Sequence, residues 1–140
     1  MKWFRHELRV RYQETDQMGV VYHANYMNWF EIGRTELIRS LGMTYREIES
    51  RGLRLPLIDL HAEFKGPARY DDRIAVLTQI RDFTPIRMTF ASEIRRLDEA
   101  DSEHSDPEKQ AGQLLVSGTT RHVWVNRDWQ PVRLDRTHPD

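Results

Sequence analysis

Only one segment of this chain has the periodicity of a long helix, and a series of strand-like segments follows it. Within residues 23–41, Tyr26, Phe30, Leu37 and Leu41 recur at spacings of four and seven, and Met27 and Ile38 widen the stripe. Gly33 lies on the same face. A glycine there lowers helix propensity, so its place predicts a helix that approaches a sheet closely. Gly42 is positioned to end the helix. A lone amphipathic helix must bury its stripe against some other element, and in this chain only strands are available.

Residues 3–12 carry aromatic and β-branched side chains with partial alternation and read as a strand. Residues 13–22 contain Gly19 and read as a loop. Thr44-Tyr45-Arg46-Glu47 has the form of a capping box and opens a short helix to about Arg51, which Gly52 stops. Strands are expected over 55–64, 73–82, 86–97 and 113–126, broken by Gly66-Pro67 and Thr84-Pro85. Residues 98–110 hold six acids and no large apolar residue, the pattern of a solvated hairpin loop. The segment 127–140 is polar and reads as an irregular tail. One helix against one antiparallel sheet is an α+β layer architecture, expected here as one domain over residues 1–140. Such a sheet has a second face and edges to cover, which favours dimerisation.

The 140 residues contain no cysteine, which removes thiol nucleophiles, zinc thiolates and redox pairs. A formal charge of −1 gives no general attraction to nucleic acid or anionic membrane. Of 21 basic residues only Lys2, Lys65 and Lys109 are lysines; arginine suits bidentate phosphate contacts, though base composition explains the excess as well. The first residues are charged too often for a signal peptide, and no run approaches ~18 apolar residues. The expected compartment is the cytoplasm.

The chemistry-bearing stretch runs from Thr15 to Tyr26. Asp16 sits in a loop before the helix start, and no Ser, Thr or Asp occupies the N-cap position at Tyr22 or His23. An uncapped start leaves amide N–H groups unpartnered at the positive end of the helix dipole. Those donors suit a developing oxyanion. A carboxylate beside them suits hydrolysis of a thioester, whose thiolate leaves without strong acid assistance. No G-x-S-x-G elbow is present. Each residue also has a plainer reading. Asp16 could form a turn, His23 could pack at the helix start, Tyr22 and Tyr26 could be core, and Glu31 with Arg34 could be a helix ion pair. Periodicity does not separate these readings.

Asp16-x-x-Gly19-x-Val21-Tyr22-His23-Ala24-Asn25-Tyr26, with Phe30-Glu31 and Arg34-Thr35-Glu36 after it, resembles the signature of the 4-hydroxybenzoyl-CoA thioesterase and YbgC-like family. Pro67-Ala68-Arg69-Tyr70-Asp71-Asp72 resembles a second family segment, and the likeness covers roughly residues 5–126. It implies a hotdog fold, an antiparallel sheet wrapped around one long central helix. It implies a homodimer or homotetramer with sites at the subunit interface, and hydrolysis of an acyl-CoA to a carboxylic acid and CoA. It implies Asp16 as the catalytic carboxylate and the His23 backbone N–H as the donor to the thioester carbonyl. Tyr22, Asn25 and Tyr26 would line or support the site, and Arg87 would meet a CoA phosphate. No metal or other cofactor is expected. An acyl-carrier-protein substrate and a non-catalytic acyl-CoA-binding hotdog module are the alternatives, with a hotdog dehydratase as a weaker third.

Overall fold

The stripe and its glycine build the centre of the molecule. In the computed structural model, which describes residues 2–98 and 112–134, helix α1 spans Ala24–Ser40. Tyr26, Trp29, Phe30, Gly33, Leu37 and Ile38 form its buried face. Gly33 lies where the helix backbone comes closest to the sheet. A Cβ built on it would collide with Thr78 Oγ1 and stand 2.8 Å from Val76 Cγ1. The stripe stops short of the expected end: Leu41, read as apolar face, is 67 % exposed, because it follows the last helical turn.

The sheet has five strands, all neighbours antiparallel, in the order β1-β3-β4-β5-β2. They are β1 (Phe4–Arg9), β2 (Leu57–Phe64), β3 (Arg73–Phe83), β4 (Arg87–Leu97) and β5 (Gln113–Val123). This is the expected α+β hotdog architecture. The short helix α2 (Tyr45–Ser50) begins as the capping pattern predicts, with Thr44 Oγ1 accepting the Glu47 N–H at 3.1 Å. β5 is shorter than the segment 113–126, since Val125 leaves the ladder and bridges Arg54 and Pro131 instead. Beyond it the chain makes no regular element before Leu134, yet Val132 and Leu134 return to the core and donate to Trp124 O and Pro85 O. The acidic segment falls almost wholly outside the described residues.

Two apolar clusters fill the space between helix and sheet. One joins Tyr26, Trp29 and Phe30 to Ile74, Val76, Ile94 and Val116. The other joins Leu37 and Ile38 to Ile48, Met88, Phe90 and Trp124. The opposite sheet face carries ion pairs between neighbouring strands, such as Arg73 to Glu7 at 2.9 Å, and within strands, such as Arg95 to Glu93 at 2.8 Å. β2 is the exception among the strands. It pairs only with β5, is open to solvent on both faces, and exposes Leu57, Ile58, Leu60 and Phe64.

Gly33→Ala tests the close approach. Alanine adds helix propensity of roughly 1 kcal/mol, but its methyl group has no room. A net loss of about 1–3 kcal/mol is expected from overpacking, read as a lower urea midpoint. Adding Val76→Ala to the same chain should recover part of it.

Candidate active site

Asp16 stands at the start of a tight turn that leads into α1. The turn is closed by a bridge between Thr15 and Val21, and Asp16 N–H donates to Val20 O at 2.9 Å. Gly19, at φ +79°, supplies the left-handed residue that lets the chain reverse. Asp16 Oδ1 accepts the Met18 N–H at 2.9 Å. The plainer reading of Asp16 is therefore realised in part, because one carboxylate oxygen holds its own turn. No bond to the other oxygen is made by the described residues.

The turn and the helix start are held by shared partners. Val21 N–H donates to Ala68 O at 2.8 Å, and Ala68 N–H donates to Tyr26 Oη at 3.0 Å. Ala68, fully buried, thus docks the 65–72 loop on the Asp16 motif through both of its backbone groups. The two sequence segments singled out together are in contact. Tyr26 is buried, and its hydroxyl pKa is raised above the usual phenol value. Burial is the main cause, and the charges of Asp72 and Asp16 add to it while the Ala68 N–H opposes it. Tyr26 therefore keeps its proton, and the Asp16 charge is close enough to act on it.

The helix start is uncapped. His23 occupies the N-cap position in helical conformation without a side-chain cap bond. Asn25 N–H and Tyr26 N–H donate to Tyr22 O and His23 O, while no described residue accepts from the His23 or Ala24 N–H. These are the free amide donors that the missing cap predicts. The His23 ring lies against Tyr22, with centroids 4.5 Å apart. Tyr22 is half exposed, which excludes the core reading for it. Asn25 is partly buried: its Nδ2 donates to Glu14 O at 2.9 Å and its Oδ1 accepts from Asn28. Exposed aromatic rings surround the same end of the molecule, with Tyr12 edge-on to Tyr70 and Phe64 beside Tyr26.

Arg87 is not part of this cluster within one chain. It opens β4 next to the 84–86 turn, whereas Asp16 neighbours the loop that enters β3. The two ends of β3 are roughly 30 Å apart at a rise of ~3.3 Å per residue. Its Nε is buried without a hydrogen-bond partner among the described residues. Glu31 and Arg34 do not form the expected simple surface pair. Arg34 is buried, and burial lowers its pKa against the opposing effects of Tyr45 and Glu31. Sequence reasoning missed Glu14, a buried carboxylate two residues before Asp16. Among the described residues no group of three or more His, Asp or Glu is arranged to hold a metal, and no helix is long and apolar enough to cross a membrane.

Further along α1, Glu31, Arg34, Tyr45, Ile48, Leu57 and His122 line a cavity of about 210 Å³. His122 sits with Nδ1 3.2 Å from Leu55 O and Nε2 3.1 Å from Thr120 Oγ1. Burial first, then the Arg34 charge, push its pKa down from 6.5 to about 4. The ring is neutral in the folded protein, donating to Leu55 O and accepting from Thr120.

These features, a hotdog sheet around one helix with a carboxylate turn at an uncapped helix start, define the architecture of a thioester hydrolase. The chain belongs to the thioesterase-like superfamily, whose family model matches residues 10–135. It is 35% identical over 135 residues to YneP of Bacillus subtilis, provisionally named an acyl-CoA thioesterase, covering 96% of this chain and 88% of that protein. A chloroplast acyl-acyl carrier protein thioesterase of Arabidopsis thaliana is 32% identical, covering 91% of this chain and 62% of that protein. The solved DHNA-CoA thioesterase of Staphylococcus aureus superposes with a TM-score of 0.85 at 33% identity, covering 100% of this chain and 86% of that one.

The neutral His122 predicts a pH dependence of stability. Above pH 6.5 both folded and unfolded chains leave the ring neutral, and it contributes no slope. As pH falls from 6.5 toward about 4 only the unfolded chain takes up the proton, so stability declines; below that it levels off. The loss attributable to this ring is about 3 kcal/mol. Urea midpoints across this range, wild type minus His122→Gln, should show the decline; parallel curves would contradict it.

Proposed function

We propose that this chain hydrolyses an acyl-CoA thioester to a carboxylic acid and CoA, at a site formed by Asp16 and the amide donors opening α1. The observation that carries the reading is the pair of N–H groups at His23 and Ala24 from which no described residue accepts, at the end of a turn opened by Asp16, whose second oxygen accepts from no described residue. The thioester carbonyl oxygen would accept the His23 N–H, which stabilises the oxyanion as it forms. Asp16 would take the proton of an attacking water, or attack the carbonyl itself and be released by water. In either route the C–S bond breaks and CoA departs as a thiolate that is then protonated. Tyr26 and Asn25 support the turn and the helix start, and Tyr22 lies on the open side where substrate would enter.

The active species in this reading is at least a dimer, joined along β2. An edge strand with apolar side chains and unpaired backbone groups is a template for a second copy. Two-fold antiparallel pairing would set the Phe64 end of one β2 against the Leu57 end of the other. Leu57 pairs with His122, which in turn faces Met88 next to Arg87. Such pairing would carry Arg87 of one subunit toward Asp16 of the other, where a CoA phosphate could meet it. Acyl carrier protein is the second reading of the carrier, favoured by the Arabidopsis relative. Thiol release from matched acyl-CoA and acyl-carrier-protein substrates separates the two. The expected compartment is the cytoplasm.

Light scattering at micromolar concentration should show a species of at least twice 16.8 kDa. A monomer alone would remove the interface site. For the chemistry, Asp16→Asn keeps shape but loses the basic oxygen. A fall in kcat of ~10²–10⁴-fold is expected with the fold retained by circular dichroism. His23→Ala keeps the amide and should cost about tenfold, the equivalent of ~1.4 kcal/mol. Near-full activity of Asp16→Asn would overturn the mechanism, and a larger loss in His23→Ala would move the chemistry to the imidazole.

A further inference from the structure

We infer that Glu14 is the positioning residue of this site, a clamp that sets the Asp16 turn against the start of α1. Its carboxylate is buried and joins two separate segments. Oε1 accepts the Arg11 N–H at 2.8 Å, and Oε2 accepts the indole N–H of Trp29 at 2.8 Å. Its backbone carbonyl accepts the Tyr22 N–H and Asn25 Nδ2, both at 2.9 Å. One residue therefore receives four hydrogen bonds, three of them from residues that open or belong to α1.

Those bonds fix both sides of the reacting geometry. Asp16 follows Glu14 by two residues, across a turn stiffened by Thr15 Oγ1 donating to Tyr12 O at 2.7 Å. The amide proposed to bind the thioester oxygen belongs to His23, flanked by Tyr22 and close to Asn25, which both bond to the Glu14 carbonyl. The distance between carboxylate and amide is thus spanned by Glu14 and its partners. Trp29 provides the anchor. It is 1 % exposed, packed edge-on to Tyr26 at 5.3 Å, and fixed in the first apolar cluster.

The chemistry of the clamp requires a carboxylate. Both hydrogen-bond partners of the side chain are N–H donors, and the Arg11 guanidinium stands 3.6 Å from Oε1; a buried carboxylate is stable only when its oxygens receive such partners. Glutamine at this position would turn an NH₂ group toward one of them, so one contact must open. Catalysis depends steeply on this geometry, and a misplacement of ~1 Å costs on the order of 10²-fold in rate.

This inference rests on the reading that Asp16 and the His23 amide act together, and the experiment keeps the two apart. Glu14→Gln, Trp29→Phe, their combination and Asp16→Asn are assayed as purified assemblies on one acyl-CoA, with circular dichroism and thermal melts. Glu14→Gln is expected to lower kcat by roughly 10–100-fold with KM little changed. The acid limb of its kcat/KM profile should keep its midpoint, since the clamp acts through position. Trp29→Phe, which removes the donor to Oε2 and keeps most of the packing, should lower kcat less. The combination should lose less than the product of the two single losses, because both substitutions loosen the same clamp. A folded Glu14→Gln with wild-type kcat, beside an inactive Asp16→Asn, overturns the clamp and leaves the proposed function standing. A shifted acid limb overturns it in favour of a direct effect on the proton affinity of Asp16. If Glu14→Gln does not fold, Trp29→Phe decides, and wild-type kcat in that variant overturns the clamp. An active Asp16→Asn overturns the functional reading and the clamp with it.

Discussion

The helix lies on the sheet at the height that Gly33 permits. With no side chain there, the backbone of α1 can rest against Val76 and Thr78 of β3. This separation decides which residues can fill the layer. Phe30 and Trp29 on one side of the contact, and Leu37 and Ile38 on the other, fit as two clusters because the middle is closed by backbone. A larger residue at the centre would raise the helix and leave those side chains short of the strands, and interiors packed at crystal-like density tolerate little of that. The tilt and height of the helix also determine where its N-terminus emerges, and the Asp16 turn meets it there through Ala68 and Glu14.

How much of this was legible in the sequence depends on whether the signal is local. Helix α1, its end near Gly42 and the cap at Thr44 are local patterns, and they fold as read. Gly33 was legible for the same reason, since a glycine on an apolar stripe has few purposes. Leu41 continues the stripe in sequence but comes after the last helical turn, so periodicity alone overextends the buried face. The strands were found by their composition, yet their order was not, because the pairing of β2 with β5 joins segments some fifty residues apart with no shared mark.

The candidate site divides along the same line. Asp16 and the uncapped start at His23 lie within one stretch, and the family resemblance covers that stretch without a gap. Glu14 carries no such mark. Its partners are a backbone amide three residues back and an indole fifteen residues on, a combination no spacing rule picks out. Arg87 depends on a different kind of information. A basic residue at a strand start can serve a phosphate, but sequence does not reveal which end of the sheet that start occupies. The burial of Arg34 was hidden too, because an acid at i and an arginine at i+3 look the same on a wet helix face as above a cavity.

The strand order has a consequence for how the chain reaches this state. β2 takes its place at the sheet edge only by pairing with β5, from Leu57 against His122 to Phe64 against Val116. The other edge is similar, since β1 waits for β3. During synthesis, β2 therefore emerges with Leu57, Ile58, Leu60 and Phe64 and remains unpaired until most of the later strands have left the ribosome. Long-range pairing of this kind slows folding and lengthens the time that apolar strand surface stays open to other chains. The strand that offers the most exposed apolar surface in the finished fold is also among the last to find its neighbour, so its dependence on timing begins before the protein is complete.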